Sequence, residues 1–167
     1  MIPDIALLTV VVISLYTDLR YRKIFNFVLL PAFLLALIYG FTSGGVNSLL
    51  FSIKGATLGL SLLLIPFMLG GMGAGDVKLL AVIGAWQGPQ FVWLCFLYTA
   101  IIGGVIAIVY LVRKGRFFQT LKYILFLFIP GTPKVNAFGT LSAARAGEAF
   151  PYGVAIAAGT MATYVLR

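Results

Sequence analysis

An all-α, polytopic membrane helix bundle is the architecture this sequence predicts, and three observations carry it. Of 167 residues, 62% are hydrophobic and only 10% charged, with a mean hydropathy of +1.09. A soluble domain of that size needs far more polar residues to cover its surface. The apolar residues fall into successive stretches long enough to cross a bilayer, separated by short connections. Lys and Arg outnumber Asp and Glu by 12 to 4 and cluster in alternate connections, as the positive-inside rule requires of cytoplasmic loops. The net charge of +8 is thus a topology signal, and no nucleic-acid partner is expected. One Cys and no His leave no disulfide framework, no His-dependent triad and no Cys or His metal cluster. No metal or other cofactor is expected. Any chemistry must come from acids, Lys, Ser, Thr or Tyr.

The first apolar segment runs from about Ile5 to Thr17. It lacks a basic leader and a small-residue cleavage site, so it reads as a retained helix and not a signal peptide. The connection from Tyr16 to Asn26 carries Arg20, Arg22 and Lys23 and is expected in the cytoplasm. A second helix covers about Phe25 to Phe41, with Pro31 as a candidate kink. The uncharged turn Ser43-Gly44-Gly45 leads into a third helix, about Val46 to Leu69. Lys54 lies within that helix, either snorkelling to the interface or paired with a buried carboxylate. A fourth helix, about Asp76 to Trp86, is short for a full span and stops before Gly88-Pro89. Either the bilayer is thin there or the Asp76 end is recessed in protein. A fifth helix takes Phe91 to Val112, and Arg113, Lys114, Arg116 and Lys122 follow it. Residues 117–130 fit an interfacial helix, residues 131–148 a loop, and the last helix is about Pro151 to Leu166. The expectation is one domain, 1–167, with about six transmembrane helices plus one interfacial helix. Both termini are outside, and the basic connections face the cytoplasm.

Four acids are present: Asp4, Asp18, Asp76 and Glu148. Asp4 reads as a solvated terminus. Glu148 reads as charge complementarity at the start of the last helix. Asp76 closes the stretch Gly70-Gly71-Met72-Gly73-Ala74-Gly75-Asp76. A carboxylate at membrane depth is costly and points to function. Glycines there permit positive φ and close approach of another backbone. The expected topology puts Asp18 and Asp76 at the same face, at similar depth. Two adjacent carboxylates do not both ionise easily, so one serves as acid and the other as base toward a water. The bland alternative makes Asp18 a counter-ion to Arg20, Arg22 and Lys23.

These residues resemble a known family. Gly73-Ala74-Gly75-Asp76-Val77-Lys78-Leu79-Leu80 is similar to the GxGD signature of type IV prepilin peptidases. Asp18-Leu19-Arg20-Tyr21-Arg22-Lys23-Ile24-Phe25-Asn26 resembles the family's first aspartate motif, with Phe25 where Pro is usual. Pro151-Tyr152-Gly153, followed at a distance by Gly159, is similar to its closing Pro-x-Gly motif. The resemblance implies an aspartic endopeptidase of the inner (plasma) membrane. It would cut basic leaders from prepilins or pseudopilins at the cytoplasmic face, with Asp18 and Asp76 as the catalytic pair. Gly73, Gly75, Lys78, Pro151 and Gly153 become site-shaping or substrate-binding by the same motifs, with Lys78 positioning a carboxylate or acting as a structural basic residue. With one cysteine and no insert bearing two Cys-x-x-Cys pairs, the chain resembles the short, peptidase-only form without N-methyltransferase activity. Archaeal preflagellin peptidases are a related alternative.

Two readings from other classes compete. A proton-coupled carrier would place acids near the midplane on broken helices, whereas Asp18 reads as part of a charged connection. A non-catalytic pilus assembly factor would not need both aspartates.

Overall fold

A computed structural model describes residues 2–68, 72–113, 115 and 152–166. The chain divides into two units: Met1–Ile102 with Pro151–Arg167, and Gly103–Phe150. Of the second, the described part is the end of one long helix, together with Gly115. The expected interfacial helix over 117–130, the loop over 131–148, Glu148 and Pro151 lie outside the described residues.

Four helices are described: α1 (Ile2–Tyr21), α2 (Asn26–Met68), α3 (Ala74–Arg113) and α4 (Tyr152–Leu166). The first three are long and apolar enough to cross a membrane, and α4 is a shorter apolar helix. At 43 residues, α2 would be about 65 Å long if straight, twice the thickness of a hydrocarbon core. It is interrupted at Gly44 (φ −149°, ψ 18°) and Gly45 (φ 64°, ψ −149°). In the same way α3 breaks at Gly88 (φ 82°, ψ −179°), with Pro89 opening the next rod at a position where its fixed φ and missing N–H do no harm. The breaks make six helical rods from four helices. Pro31 interrupts nothing, and the non-helical residues inside α2 are the two glycines.

The first arm of α3 is the centre of the larger unit. Val77, Leu79, Leu80, Ala81, Val82, Ile83 and Ala85 are all buried, so this rod is enclosed on nearly every side. Its shortness therefore matches a helix surrounded by protein. Leu7 and Val11 of α1, Leu29 and Leu63 of α2, Phe91 and Val92 of α3 and Ile156 of α4 complete the core. Close packing on α2 depends on small residues. A Cβ on Gly84 would collide with the backbone oxygen of Gly55, and one on Gly59 would lie 2.5 Å from the Leu80 oxygen.

At one end of this unit a polar cluster ties three helices. Gln87 Nε2 donates to Asp4 Oδ1 at 2.8 Å and to the Tyr164 hydroxyl at 2.7 Å. The Tyr164 hydroxyl in turn donates to Asp4 Oδ1 at 3.3 Å. Asp4 is thus half-buried and built into the bundle, and its reading as a solvated terminus is corrected. Lys54 is exposed, so it lies on the surface and is not enclosed with a carboxylate.

Candidate active site

The other end of the same unit gathers the sequence motifs. The helix α1 does not stop at Thr17 as expected. It continues to Tyr21, which places Asp18 in its last turn and not in a loop. The turn after it is closed by Arg22, whose N–H donates to the Asp18 carbonyl at 2.8 Å. Arg22 adopts φ +52°, a left-handed cap more often occupied by glycine. The chain then crosses to α2 in a few residues, and Ile24, Phe25 and Asn26 come against the start of α3.

Asp76 sits in the first turn of α3. Its N–H donates to the Gly73 carbonyl at 3.2 Å, and the Gly73 N–H donates back to Asp76 Oδ2 at 3.1 Å. This reciprocal pair fixes the carboxyl over the helix start, where the macrodipole favours negative charge. Asp18 is fixed by a different element. Its Oδ2 accepts from the Gly153 N–H at 2.9 Å, at the start of α4. Each aspartate is only 7% exposed. They line one cleft of about 310 Å³ together with Arg22, Lys23, Ile24, Phe25, Asn26, Gly73, Ala74 and Gly75.

The basic residues do not neutralise Asp18 as the counter-ion reading requires. The Arg20 guanidinium lies 5.8 Å from the centre of the Tyr21 ring, and the partner of the Asp18 carboxyl is the Gly153 amide. Lys78 Nζ donates to Asn26 Oδ1 at 2.9 Å, so it braces the edge of the cleft and does not touch a carboxylate. Among the described residues no three His, Cys, Asp or Glu gather as a metal site would need.

Of the two roles expected of the glycines, positive φ and close approach, Gly73 and Gly75 show the second. Neither Gly73 nor Gly75 is among the residues with positive φ. What they supply is space. A Cβ on Gly75 would lie 2.9 Å from Ile24 Cβ, and one on Gly73 would lie 3.3 Å from Asp76 Oδ2. A Cβ on Gly153 would lie 2.5 Å from Asp18 Oδ2 and 3.0 Å from both Asp18 Cβ and Cγ. The sequence reading named these three glycines but not the contacts that need them bare. It also missed Asn26 as a wall of the cleft and the partner of Lys78, although Asn26 closes the first aspartate motif.

Two curated relatives are similar to this chain, both named prepilin leader peptidase/N-methyltransferase. The protein from Neisseria gonorrhoeae is 36% identical over 120 residues, covering 67% of this chain and 42% of the relative. The protein from Xanthomonas campestris is 44% identical over 46 residues, covering 28% of this chain and 16% of the relative. The match therefore spans less than half the length of either relative. No solved structure matches. The sequence profile of the type IV leader peptidase family matches residues 5–108, a span that holds both aspartates and the turns that present them. On that match, the chain belongs to the type IV leader peptidase family.

Proposed function

We propose that this protein is a membrane aspartic endopeptidase that removes basic leader peptides from type IV prepilin- or pseudopilin-like substrates, using Asp18 and Asp76 to activate water. One observation carries the reading: two enclosed carboxyls from separate helices line a single cleft. One carboxylate takes a proton from water as the water attacks the scissile carbonyl. The protonated partner donates to the carbonyl oxygen, and the tetrahedral intermediate collapses with a proton passed to the leaving amine. The Gly153 and Gly73 amides each bond one oxygen, Oδ2, of their carboxyl, so each carboxyl keeps Oδ1 for this exchange. The open cleft suits an extended peptide. A carrier would place its acids near the midplane, and their position at one end of the helices favours hydrolysis.

The remaining features follow from this reading. Each of the six rods crosses the inner (plasma) membrane once, within a single functional domain. The acid end, flanked by Arg20, Arg22 and Lys23, faces the cytoplasm, and the start of α1 faces outside. We infer the peptidase half of the relatives' names alone, because both aspartate motifs fall within the matched residues 5–108. The test is cleavage of a prepilin-like peptide in lipid vesicles by wild type, Asp18→Asn and Asp76→Asn. Wild type trims the leader and each variant, still folded, does not. A single Asn variant that cuts at near wild-type rate would remove the pair as the catalytic unit. A methylated product N-terminus, read by mass spectrometry with a methyl donor present, would overturn the restriction to hydrolysis.

A further inference from the structure

Beside the cleft lies a second cavity of about 370 Å³, between α2 and the first arm of α3. Its walls are mainly apolar, among them Leu29, Phe33 and Leu60 of α2 and Val82 of α3, and Lys78 lines it as well. One residue lines both spaces: Asn26. It is exposed and stands where α2 begins.

Its side chain is not spent on the helix it opens. An asparagine at a helix start commonly caps the first free amides. Here those of Val28 and Leu29 donate instead to the Phe25 carbonyl, at 3.1 and 3.4 Å. The Asn26 amide is bonded to α3, where Lys78 Nζ donates to Oδ1 at 2.9 Å. That bond decides which way round the amide lies. An ammonium only donates, so the atom facing it must be the oxygen. The NH2 group, with two protons to donate, is the end left over, and it has no partner among the described residues. Lys78 lines the apolar cavity and not the cleft, so Oδ1 is committed to the cavity side and Nδ2 is left for the cleft.

Bracing alone does not call for an amide, since a carboxylate would hold an ammonium more strongly. What an amide adds is a donor beside the two acids. A peptide entering the cleft brings carbonyl oxygens that lose water and need donors in exchange, and an ionised carboxylate has none to give. We propose that Asn26 is a substrate-binding residue: Nδ2 donates to a main-chain carbonyl of the peptide next to the scissile bond, and Lys78 is the positioning residue that keeps the amide turned that way. The contact is to backbone, so it sets the register of an extended chain without reading its sequence. The inference rests on the reading of the cleft as a peptidase site.

The test uses the full chain in vesicles with a prepilin-like peptide. Asn26→Ala removes donor and brace together, and Lys78→Met removes the brace alone. Asn26→Ala is expected to raise KM about tenfold, the scale of one hydrogen bond. Its kcat stays near wild type, because the contact is present before and during the reaction. Lys78→Met raises KM by a smaller factor, and adding it to Asn26→Ala changes nothing further. Equal effects of the two single variants would mean that the brace alone matters, and would overturn the proposal. A wild-type KM in Asn26→Ala overturns it too, as does a loss that tracks a lowered unfolding temperature. A further rise in the double variant removes Lys78 from the positioning role. Binding reads the same contact without turnover: a fluorescent form of the peptide is titrated into Asp18→Asn, and adding Asn26→Ala weakens Kd by about tenfold. An unchanged Kd overturns the proposal. Continued cleavage by Asp18→Asn is the distinct outcome that sinks the parent reading, leaving Kd to decide the role of Asn26.

Discussion

Replacing Gly153 by alanine adds one methyl group and nothing else, yet it is expected to disable the site. The new Cβ would stand 2.5 Å from Asp18 Oδ2, where ordinary contact begins at 3.4 Å, and 3.0 Å from two further Asp18 carbons. The carboxyl must retreat by about 1 Å, and the 2.9 Å bond from the Gly153 N–H lengthens with it. A displacement of that size at a reacting group costs about a hundredfold in rate. Folding should change far less. Gly153 lies in the first turn of α4, where alanine is a better helix former than glycine, which offsets part of the strain of the contact. The assay is cleavage of a prepilin-like peptide by protein shown to unfold at the wild-type temperature. Loss of about two decades in kcat with intact folding is the expected outcome. If Gly153→Ala cuts within threefold of wild type, Asp18 is not held where its function requires, and the account of the site fails at that residue.

Two further substitutions separate packing from chemistry. Gly84→Ala sets a Cβ against the Gly55 backbone, which cannot yield as a side chain can. It should destabilise by about 1–3 kcal/mol in detergent unfolding, whereas Gly104→Ala, with nothing within 4 Å among the described residues, should be neutral or stabilising. Lys78→Met removes an exposed 2.9 Å bond to Asn26, worth about 1 kcal/mol. It should lower kcat/KM by less than tenfold, and a complete loss of cleavage would require Lys78 to act on the reacting groups directly.

Much of this was legible in the sequence because a bilayer imposes strong rules on a chain. Apolar length marked the rods, and glycines marked both breaks, at Gly44-Gly45 and Gly88. The ends were harder to place. Asp18 and Arg20 read as loop because charges leave the membrane, yet backbone hydrogen bonding carries α1 on to Tyr21. Asp4 read as solvated because its partners, Gln87 and Tyr164, are distant in sequence and cannot be inferred from local pattern. The same holds for Gly153, which reaches Asp18 across 135 residues. The motif residues could be named from their types and spacing. Their contacts could not, since a glycine chosen for missing bulk looks the same in sequence as one chosen for its torsion angles.

The cluster of Asp4, Gln87 and Tyr164 sits at the far end of the helices that carry the acids. From Asp4 to Asp18, α1 is a lever about 21 Å long, pinned at its distant end to the first arm of α3 and to α4. At the acid end the bonds differ in kind. Asp18 is tied to α4 through Gly153, while Asp76 is tied to its own helix start through Gly73. A joint tilt of α1 and α4 by about 3° around the pinned end thus changes the gap between the carboxyls by about 1 Å and leaves both bonds in place. The separation of the two acids is in this sense a jaw setting, held by a hydrogen-bonded pivot on the opposite side of the molecule.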